Sequence, residues 1–358
     1  MTATRTPEQD GLFMPARWSD HDRTLVSWPA RDNFWAGYLD ETKKEYAQVV
    51  RAIARFEPVT VIANTGAREE VAGHCGTDNI DVLDIPIDDS WIRDNGPIFV
   101  VNGDGGLAMV DFGFNSWGEK FLPYDHDAAV GRHLVERFGV RRYAAPLIAE
   151  GGGITVDGEG TLITTEPVLL NPNRNPGLSR EDVERVLREY LGARKVIWLP
   201  YGLAEDMGEL GTDGHSDNIV QFIRPGLVLF QAAPGKDNPN WELARQNRAR
   251  LEAATDAAGR RLEIVEMPCL PYTRPIDGKR YAAPYTNFYP VNGAIIAPEL
   301  GVPEDDKAHA ILRELFPGRQ VIGAPTDMQA LGGGGIGCIT QQIPAGVPLP
   351  AEPPHAVP

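Results

Sequence analysis

The chain has 358 residues, of which 42% are hydrophobic and 23% are charged, a composition typical of a globular protein with room for a sizeable core. Its net charge of −16 argues against a nucleic-acid partner, which needs basic surface, and either attracts a cationic substrate or simply keeps the protein in solution. No apolar run approaches the ~20 residues of a membrane span, and the first residues lack the apolar core of a secretory signal. Three scattered cysteines do not make a disulfide framework. We therefore expect a cytoplasmic protein without a membrane partner.

Five predicted helices, each followed by a predicted strand, recur along the chain. The pairs are Asp40–Phe56 with Pro58–Ala63, Ala128–Phe138 with Ala145–Ala149, a helix capped by Ser179 with Val196–Leu199, Trp241–Ala258 with Leu262–Val265, and Glu304–Phe316 with Gln320–Ile322. Ser179 and Asp182 form a capping-box pattern ahead of an apolar stripe. Successive helices start roughly 50–65 residues apart, with one longer gap between the first and the second, which is the spacing of a repeat architecture.

Additional short strands are predicted between these pairs. They are Pro97–Val101, Leu107–Asp111, Thr161–Thr165, Leu227–Gln231 and Ala294–Ala297. A doubly wound sheet would have one strand per helix, so the excess of strands favours an α+β unit repeated around an axis. No linker rich in Gly or Ser divides the chain. We therefore expect one catalytic domain over residues 11–345 and a disordered, proline-rich tail over 346–358.

Polar residues follow the strand of each unit. The stretches are Asp88–Pro97 (DDSWIRDNGP), Glu150–Gly153 (EGGG), Thr212–Asn218 (TDGHSDN), a loop ending in PYTNFY at Tyr289, and Gly332–Thr340 (GGGGIGCIT). Units repeated around an axis would bring these loops together at one end. The sequence therefore predicts one site built from several distant loops.

The residue types in these loops suit chemistry on a guanidinium group. Two carboxylates can flank a planar guanidinium with charge-assisted bonds, and a thiolate is a suitable nucleophile for its carbon. A histidine would protonate the leaving ammonia and then activate water. The candidates are Cys338, His215, Asp217, Asp94 and Glu150.

Each candidate also has a purely structural interpretation. Cys338 would then be a small buried hydrophobe, although five of the six residues before it are glycine, which is unlike a core strand. Asp94 would pair with Arg93, Glu150 would precede a bulge, and Trp91 would belong to the core. The H-x-D pattern of TDGHSDN would be an ordinary turn.

Two other motif interpretations fail on context. The glycines at 332, 334 and 337 match G-x-G-x-x-G, but a dinucleotide site needs a following helix, strand and acid, and the chain instead continues with CITQQIP. Zinc binding by Cys338 and His215 lacks the usual C-x-x-C or H-E-x-x-H spacing. We therefore expect neither a metal nor a cofactor.

Several long stretches carry a family resemblance. They are Met14–Pro29 (MPARWSDHDRTLVSWP), Asp88–Val100 (DDSWIRDNGPIFV), Glu150–Pro176, Thr212–Asn218 and Gly332–Pro344 (GGGGIGCITQQIP). In these stretches, which span nearly the whole chain, the sequence resembles the agmatine deiminases of the Porphyromonas-type peptidylarginine deiminase family, which belong to the guanidine-modifying enzymes. The resemblance implies a five-bladed α/β propeller, the pentein fold, which agrees with the five units. It also implies conversion of agmatine to N-carbamoylputrescine and ammonia without a cofactor.

The resemblance assigns a role to each candidate residue. By motif, Cys338 is the nucleophile, His215 the general acid and base, Asp94 and Asp217 the guanidinium ligands, Glu150 the partner that orients His215, and Trp91 and Gly333 further parts of the substrate site. The implied partner is a small cationic guanidine, and a homo-oligomer is compatible with the sequence.

Three positions depart from the family pattern. Gly337 stands where relatives commonly have His, and Gly335 where they commonly have Asn. Gly211 replaces an acid that could hold the amine of agmatine, for which Glu205, Asp206 or Glu209 could substitute. Alternative functions are therefore a deiminase for another alkylguanidine, an amidinotransferase, or an inactive guanidine-binding protein. The retained thiol of Cys338 argues against the last, because binding needs only the acids.

Overall fold

The structure is a computed structural model that describes residues 5–32, 34–208 and 211–346. Its strands are β1 His21–Ser27, β2 Val59–Ala63, β3 Ile80–Asp84, β4 Ile98–Val101, β5 Leu107–Gly113, β6 Arg141–Ile148, β7 Thr155–Val156, β8 Thr161–Thr165, β9 Lys195–Leu199, β10 Val220–Arg224, β11 Leu227–Gln231, β12 Glu263–Met267, β13 Tyr289–Val291, β14 Ala294–Glu299, β15 Gln320–Pro325 and β16 Thr340–Pro344. Its helices are α1 Leu39–Ala54, α2 Arg68–Cys75, α3 Ile92–Asn95, α4 Ser116–Glu119, α5 Val130–Phe138, α6 Glu166–Leu169, α7 Arg180–Leu191, α8 Trp241–Ala253, α9 Pro303–Leu315 and α10 Asp327–Leu331. The tail predicted over 346–358 lies outside the described residues beyond Gly346.

Five small sheets in the described part of the chain repeat one local topology. Their strand orders are β4-β5-β6, β7-β8-β9, β10-β11-β12, β13-β14-β15 and β16-β1-β2-β3. In each sheet one strand pairs antiparallel with a neighbour on one side and parallel with a neighbour on the other. The parallel partner is reached through a helix, as a parallel crossover requires. The predicted α+β class with five repeated units is confirmed.

The first and last strands of the chain close the set of sheets. β1 pairs antiparallel with β16, with Thr24 opposite Gln342 and Val26 opposite Thr340. Sheet edges that pair within the chain are not left open to other chains. The first sheet therefore draws its strands from both ends of the sequence, and the loop before β16 is held against the first unit.

The structure shows the buried stripe and the helix cap on which the helix predictions depend. In α1, the stripe formed by Tyr46, Val49, Val50 and Ile53 is fully buried. Ser179 caps α7 through a reciprocal capping box, in which its hydroxyl accepts from the backbone of Asp182 at 3.2 Å. No helix in the described ranges is both long and apolar enough to cross a membrane.

Three details differ from the predicted elements. The long gap after the first helix is filled by α2 and β3, which add a fourth strand to that sheet. The strand predicted over 145–149 runs over 141–148 in the structure. The prediction missed its first residues because several residues of this strand are exposed, which weakens the apolar signal. The helix predicted to reach Ala258 ends at Ala253, because the carboxylate of Asp256 accepts the backbone N–H groups of Ala258 and Arg260 and forms a turn.

Candidate active site

The polar loops that follow the sheets contribute to one buried cluster. Nδ1 of His215 lies 3.8 Å from Oδ2 of Asp94, and its Nε2 lies 3.8 Å from Oε2 of Glu150. Sγ of Cys338 lies 3.8 Å from Oδ2 of Asp217. All five side chains are buried. The structure thus brings three carboxylates, an imidazole and a thiol into one place.

Asp94, in the single turn α3, is held by two uncharged donors. Its Oδ1 accepts the backbone N–H of Gly152 at 3.0 Å, and its Oδ2 accepts Nε1–H of Trp117 at 3.0 Å. The adjacent Arg93 points elsewhere and donates to the carbonyl of Gly337 at 3.1 Å. Among the described residues Arg93 therefore forms no ion pair with Asp94, and the charged neighbour of this carboxylate is His215.

The glycines after Glu150 lie too close to neighbouring residues to carry side chains. A Cβ atom at Gly152 would lie 2.5 Å from Nδ1 of His215 and 2.8 Å from Oδ1 of Asp94. A Cβ atom at Gly151 would lie 2.3 Å from the carbonyl oxygen of Arg93. Such distances exclude any side chain without movement of the neighbours. The turn formed by Gly151–Gly153 therefore packs directly against both the acid and the histidine.

Arg174 holds Glu150, and the sequence patterns did not single it out. Its Nε donates to Oε1 of Glu150 at 2.9 Å, and its Nη2 donates to the carbonyl of Thr212 at 2.9 Å. A further ion pair joins Arg174 to Asp213. The pair with Glu150 is fully buried, and this arrangement leaves Oε2 of Glu150 facing His215. The available signal was a lone arginine within NPNRNP, in a stretch that carries the family resemblance.

Cys338 follows a glycine-rich loop that packs against indole rings. A Cβ atom at Gly332 would lie 2.5 Å from Trp35, and one at Gly334 would lie 2.4 Å from Trp91. Gly333 has a φ of 84°, in the left-handed region that favours glycine. The backbone therefore comes closer to the aromatic wall than a chain with side chains could, and the loop forms one side of the pocket that contains Cys338.

Two connected cavities lead to this thiol. The inner pocket is narrow and is lined by Asp94, Cys338 and four aromatic rings, Phe34, Trp91, Trp117 and Phe121. The outer cavity, of about 450 Å³, shares Phe34, Phe121 and the glycine loop with it. The narrow inner pocket therefore admits only a small group to the thiol, and the outer cavity has room for the rest of a small molecule.

Burial and charge set the protonation of the cluster. Burial raises the pKa of Asp94 to about 6. Burial alone would lower the pKa of His215, but the charges of Asp94 and Glu150 outweigh it and raise this pKa to about 9. Burial, with added repulsion from Asp217 and Asp94, raises the pKa of the Cys338 thiol. At neutral pH the site therefore contains an imidazolium and a neutral thiol, and a bound cation would favour the thiolate.

The backbone of Asp206 packs against Gly211 and leaves no room for the acid expected at position 211. A Cβ atom at Gly211 would lie 2.1 Å from the carbonyl oxygen of Asp206. Glu205 and Asp206 both line the outer cavity, and burial raises the pKa of Asp206 to about 7. Glu209 lies outside the described residues. The acidic side of the cavity thus comes from Glu205 and Asp206.

Known proteins resemble this chain in both sequence and structure. An agmatine deiminase of Stutzerimonas stutzeri is 44% identical to this chain over 96% of its length and 98% of the relative. The solved agmatine deiminase of Enterococcus faecalis is 32% identical and superposes with a TM-score of 0.90, over 96% of this chain and 99% of that one. A substrate-bound cysteine-to-serine variant of the C. jejuni agmatine deiminase is 26% identical, with a TM-score of 0.84 over 94% of this chain and 97% of that one.

The family assignment rests on nearly the full length of the chain. Residues 13–344 match the family described as Porphyromonas-type peptidyl-arginine deiminase. This range includes every sheet and every residue of the cluster. The resemblance seen in the motifs is confirmed, and the chain belongs to the Porphyromonas-type peptidyl-arginine deiminase family.

Proposed function

We propose that this protein is an agmatine deiminase, which hydrolyses the guanidinium C–N bond of agmatine to give N-carbamoylputrescine and ammonia. The observation that carries the proposal is the thiol of Cys338 in a narrow, aromatic-walled pocket that also contains the carboxylate of Asp94. Relatives with more than 40% identity over nearly the full chain bear this name, which supports the same reaction here.

In this proposal the inner pocket binds the guanidinium of the substrate. Asp94 and Asp217 are its carboxylate ligands and form charge-assisted hydrogen bonds with its N–H groups. The indole of Trp91 contributes an aromatic face, which attracts a planar cation, and Gly333 supplies backbone at the wall. The central carbon then faces Cys338.

The reaction proceeds through a covalent intermediate. The bound cation offsets the two carboxylates, the thiol of Cys338 gives its proton to solvent water, and the sulfur bonds to the guanidinium carbon. The imidazolium of His215 gives its proton to the departing nitrogen, the C–N bond breaks, ammonia leaves, and a thiouronium stays on the sulfur. Neutral His215 then takes one proton from a water whose oxygen adds to the same carbon. The C–S bond breaks, the remaining hydroxyl proton passes to the sulfur, and the urea product leaves. Glu150 keeps the imidazole oriented.

Agmatine carries a second cation, an ammonium at the far end of its aliphatic chain. The outer cavity offers carboxylates at Glu205 and Asp206. Glu205 accepts hydrogen bonds from Tyr272 at 2.7 Å and Asn240 at 2.9 Å, which keep it in place. We assign the ammonium to this acidic side, in place of an acid at Gly211.

The alternative reactions share the same intermediate. An amidinotransferase would differ only in the acceptor, because an amine instead of water would attack the thiouronium. A deiminase for another alkylguanidine would differ only in the outer cavity. A cytoplasmic location and assembly into a homo-oligomer are further predictions.

The function is tested by measuring ammonia release from agmatine, arginine, peptidyl-arginine and other alkylguanidines. We expect agmatine to give the highest kcat/KM, with N-carbamoylputrescine identified by mass spectrometry. Preference for another guanidine, or transfer of the amidino group to an added amine without ammonia release, would replace agmatine hydrolysis by one of the alternatives. No turnover of any guanidine by folded protein would exclude a deiminase.

Substitution of the thiol tests the covalent mechanism. We expect Cys338→Ala to abolish turnover while agmatine binding by calorimetry persists. His215→Ala should allow a covalent adduct on Cys338 to accumulate, which is visible as a mass increase. The matched control is Cys269→Ala, because Cys269 is a half-buried free cysteine outside the cluster and should leave activity unchanged. Turnover that survives in Cys338→Ala would remove this residue as the nucleophile.

A further inference from the structure

Asn287 brings the fourth unit into contact with the thiol. It lies in the loop that ends in PYTNFY, from which the sequence patterns selected no residue. Its side chain is fully buried, and its Nδ2 lies 3.4 Å from Sγ of Cys338. This inference rests on the proposed role of Cys338 as the nucleophile.

The orientation of the Asn287 amide is determined by its neighbours. The backbone N–H of Gly337 points to one terminal atom of the amide at 2.7 Å. Because an N–H group needs an acceptor, that atom is Oδ1 and the other is Nδ2. Nδ2 then has two hydrogens, one for Oδ1 of Asn218 at 2.9 Å and one for the sulfur of Cys338.

The orientation of Asn287 in turn determines that of Asn218. Because Nδ2 of Asn287 donates to the side chain of Asn218, the atom that faces it must be the acceptor, Oδ1. Nδ2 of Asn218 is then left to donate to Oδ2 of Asp206 at 2.9 Å. A series of hydrogen bonds thus links the outer cavity to the nucleophile through Asp206, Asn218 and Asn287, and all three residues are buried.

Two glycines that depart from the family pattern border this amide. A Cβ atom at Gly335 or at Gly337 would lie 2.8 Å from Oδ1 of Asn287. Side chains at either position would therefore require Asn287 to shift. The bare backbone at these two sites is compatible with the close contact between the amide and the thiol.

We propose that Asn287 donates an N–H hydrogen bond to the thiolate of Cys338 and that Asn218 and Asp206 hold it in that orientation. The physical need follows from the surroundings, because Asp94 and Asp217 both repel a negative charge on the sulfur. A hydrogen bond donated to the charged form favours that form. Asn287 thus acts on the reacting atom itself, and Asn218 and Asp206 are positioning residues.

The test measures ionisation of the thiol without any guanidine present. The rate of alkylation of Cys338 by iodoacetamide is followed against pH, with the modified peptide quantified by mass spectrometry. We expect the thiol of Asn287→Ala to ionise about one pH unit higher, so alkylation below that pH is about tenfold slower. Asn287→Asp should show a larger shift, because it replaces the donor by a carboxylate of nearly the same shape.

The matched control is Asn247→Ala. Asn247 is equally buried and also bridges backbone, with bonds to the N–H and carbonyl of Tyr201 at 3.2 and 2.9 Å, but it is outside the cluster. It should leave the alkylation profile of Cys338 unchanged. If Asn287→Ala does not fold, Asn287→Leu takes its place, because leucine is neutral, has nearly the same shape and lacks the N–H donor.

An alkylation profile of folded Asn287→Ala or Asn287→Leu that superposes on that of the parent protein would overturn the proposal. The result is separate from the deiminase assay. A shifted profile in a protein that turns over no guanidine would leave the thiolate donor in place and remove the proposed function. Turnover of agmatine with an unshifted profile would leave the proposed function in place and remove the thiolate donor.

Discussion

Asp94 and His215 form a coupled pair beside the backbone of Gly152. Their charged atoms are 3.8 Å apart, and water is largely excluded because both are buried. Burial lowers the pKa of the histidine, but the charges of Asp94 and Glu150 outweigh it and raise this pKa to about 9, while burial raises the pKa of Asp94 to about 6. Between these two values both groups are charged, which is the state needed to bind a cation and to protonate a leaving nitrogen.

The activity should follow a bell-shaped pH profile for that reason. Below about pH 6 Asp94 gains a proton and loses its attraction for the guanidinium, so kcat/KM should rise as the pH increases through this value. Above about pH 9 His215 loses the proton that the leaving nitrogen needs, so kcat/KM should fall. The measurement is kcat/KM for agmatine against pH, which reports ionisation of the free enzyme.

Asp94→Asn distinguishes the two limbs of this profile. Loss of one charged hydrogen-bond partner should lower kcat/KM by about 10- to 100-fold. The acid limb should disappear with the titrating carboxyl, while the limb near pH 9 shifts to lower pH because the histidine has lost a stabilising charge. An acid limb that stays in place would belong to another group.

At the level of secondary structure, the site depends on short glycine-containing turns that contact residues distant along the chain. The turn Gly151–Gly153 packs against both Asp94 and His215, and the loop before β16 packs on Trp35 and Trp91. Both turns follow or precede a strand of a repeated unit. The sheets thus provide rigid ends from which the loops project, and the glycines allow backbones to meet where side chains would collide.

Gly152→Ala should disrupt the site without unfolding the protein. The added Cβ would lie 2.5 Å from Nδ1 of His215, so the imidazole or the turn must move by a large fraction of an ångström. Misplacement of this size costs on the order of 100-fold in rate. We expect kcat/KM to fall by about that factor, with a melting temperature close to that of the parent protein.

Gly73→Ala is the matched control for this change. Gly73 lies within α2, and an added Cβ there meets nothing within 4 Å. Alanine in a helix should stabilise by about 1 kcal/mol relative to glycine, and activity should be unchanged. Equal activity of Gly152→Ala and Gly73→Ala would show that the turn tolerates a side chain.

Across the full chain, stability depends on the pairing of the two ends. β16 closes the first sheet against β1, and Ile343 of β16 packs in a core that also contains Leu25, Ile62 and Phe99. These residues come from the first two units and the last strand. Loss of packing here should therefore destabilise the whole fold cooperatively, because the strand joins distant parts of the sequence.

Ile343→Ala should lower the free energy of unfolding by about 2–5 kcal/mol, the usual cost of a buried cavity. The measurement is denaturant unfolding followed by fluorescence and by circular dichroism. We expect one transition at lower denaturant with both probes. Leu122→Ala is the control, because Leu122 is 68% exposed and should change stability by less than about 0.5 kcal/mol. An unfolding curve for Ile343→Ala that matches this control would mean that the closing strand is dispensable.

The repeated units and the candidate residues that meet in the buried cluster could be predicted from the primary structure, because both leave local signals. Helical stripes such as Tyr46, Val49 and Val50, the cap at Ser179 and the glycines before Cys338 depend on neighbours along the chain. The added pair α2–β3 was missed because its helix buries only Val71 and Cys75, which is too weak a stripe to detect.

The partners of the reactive residues were decided only by the tertiary structure. Trp117 on Asp94, Arg174 on Glu150 and Asn287 on Cys338 each join residues from different loops. The separation along the chain ranges from 23 to 51 residues, and no periodic pattern encodes such contacts. They form because closure of the five sheets brings the loops together, and burial then requires each polar atom to find a partner.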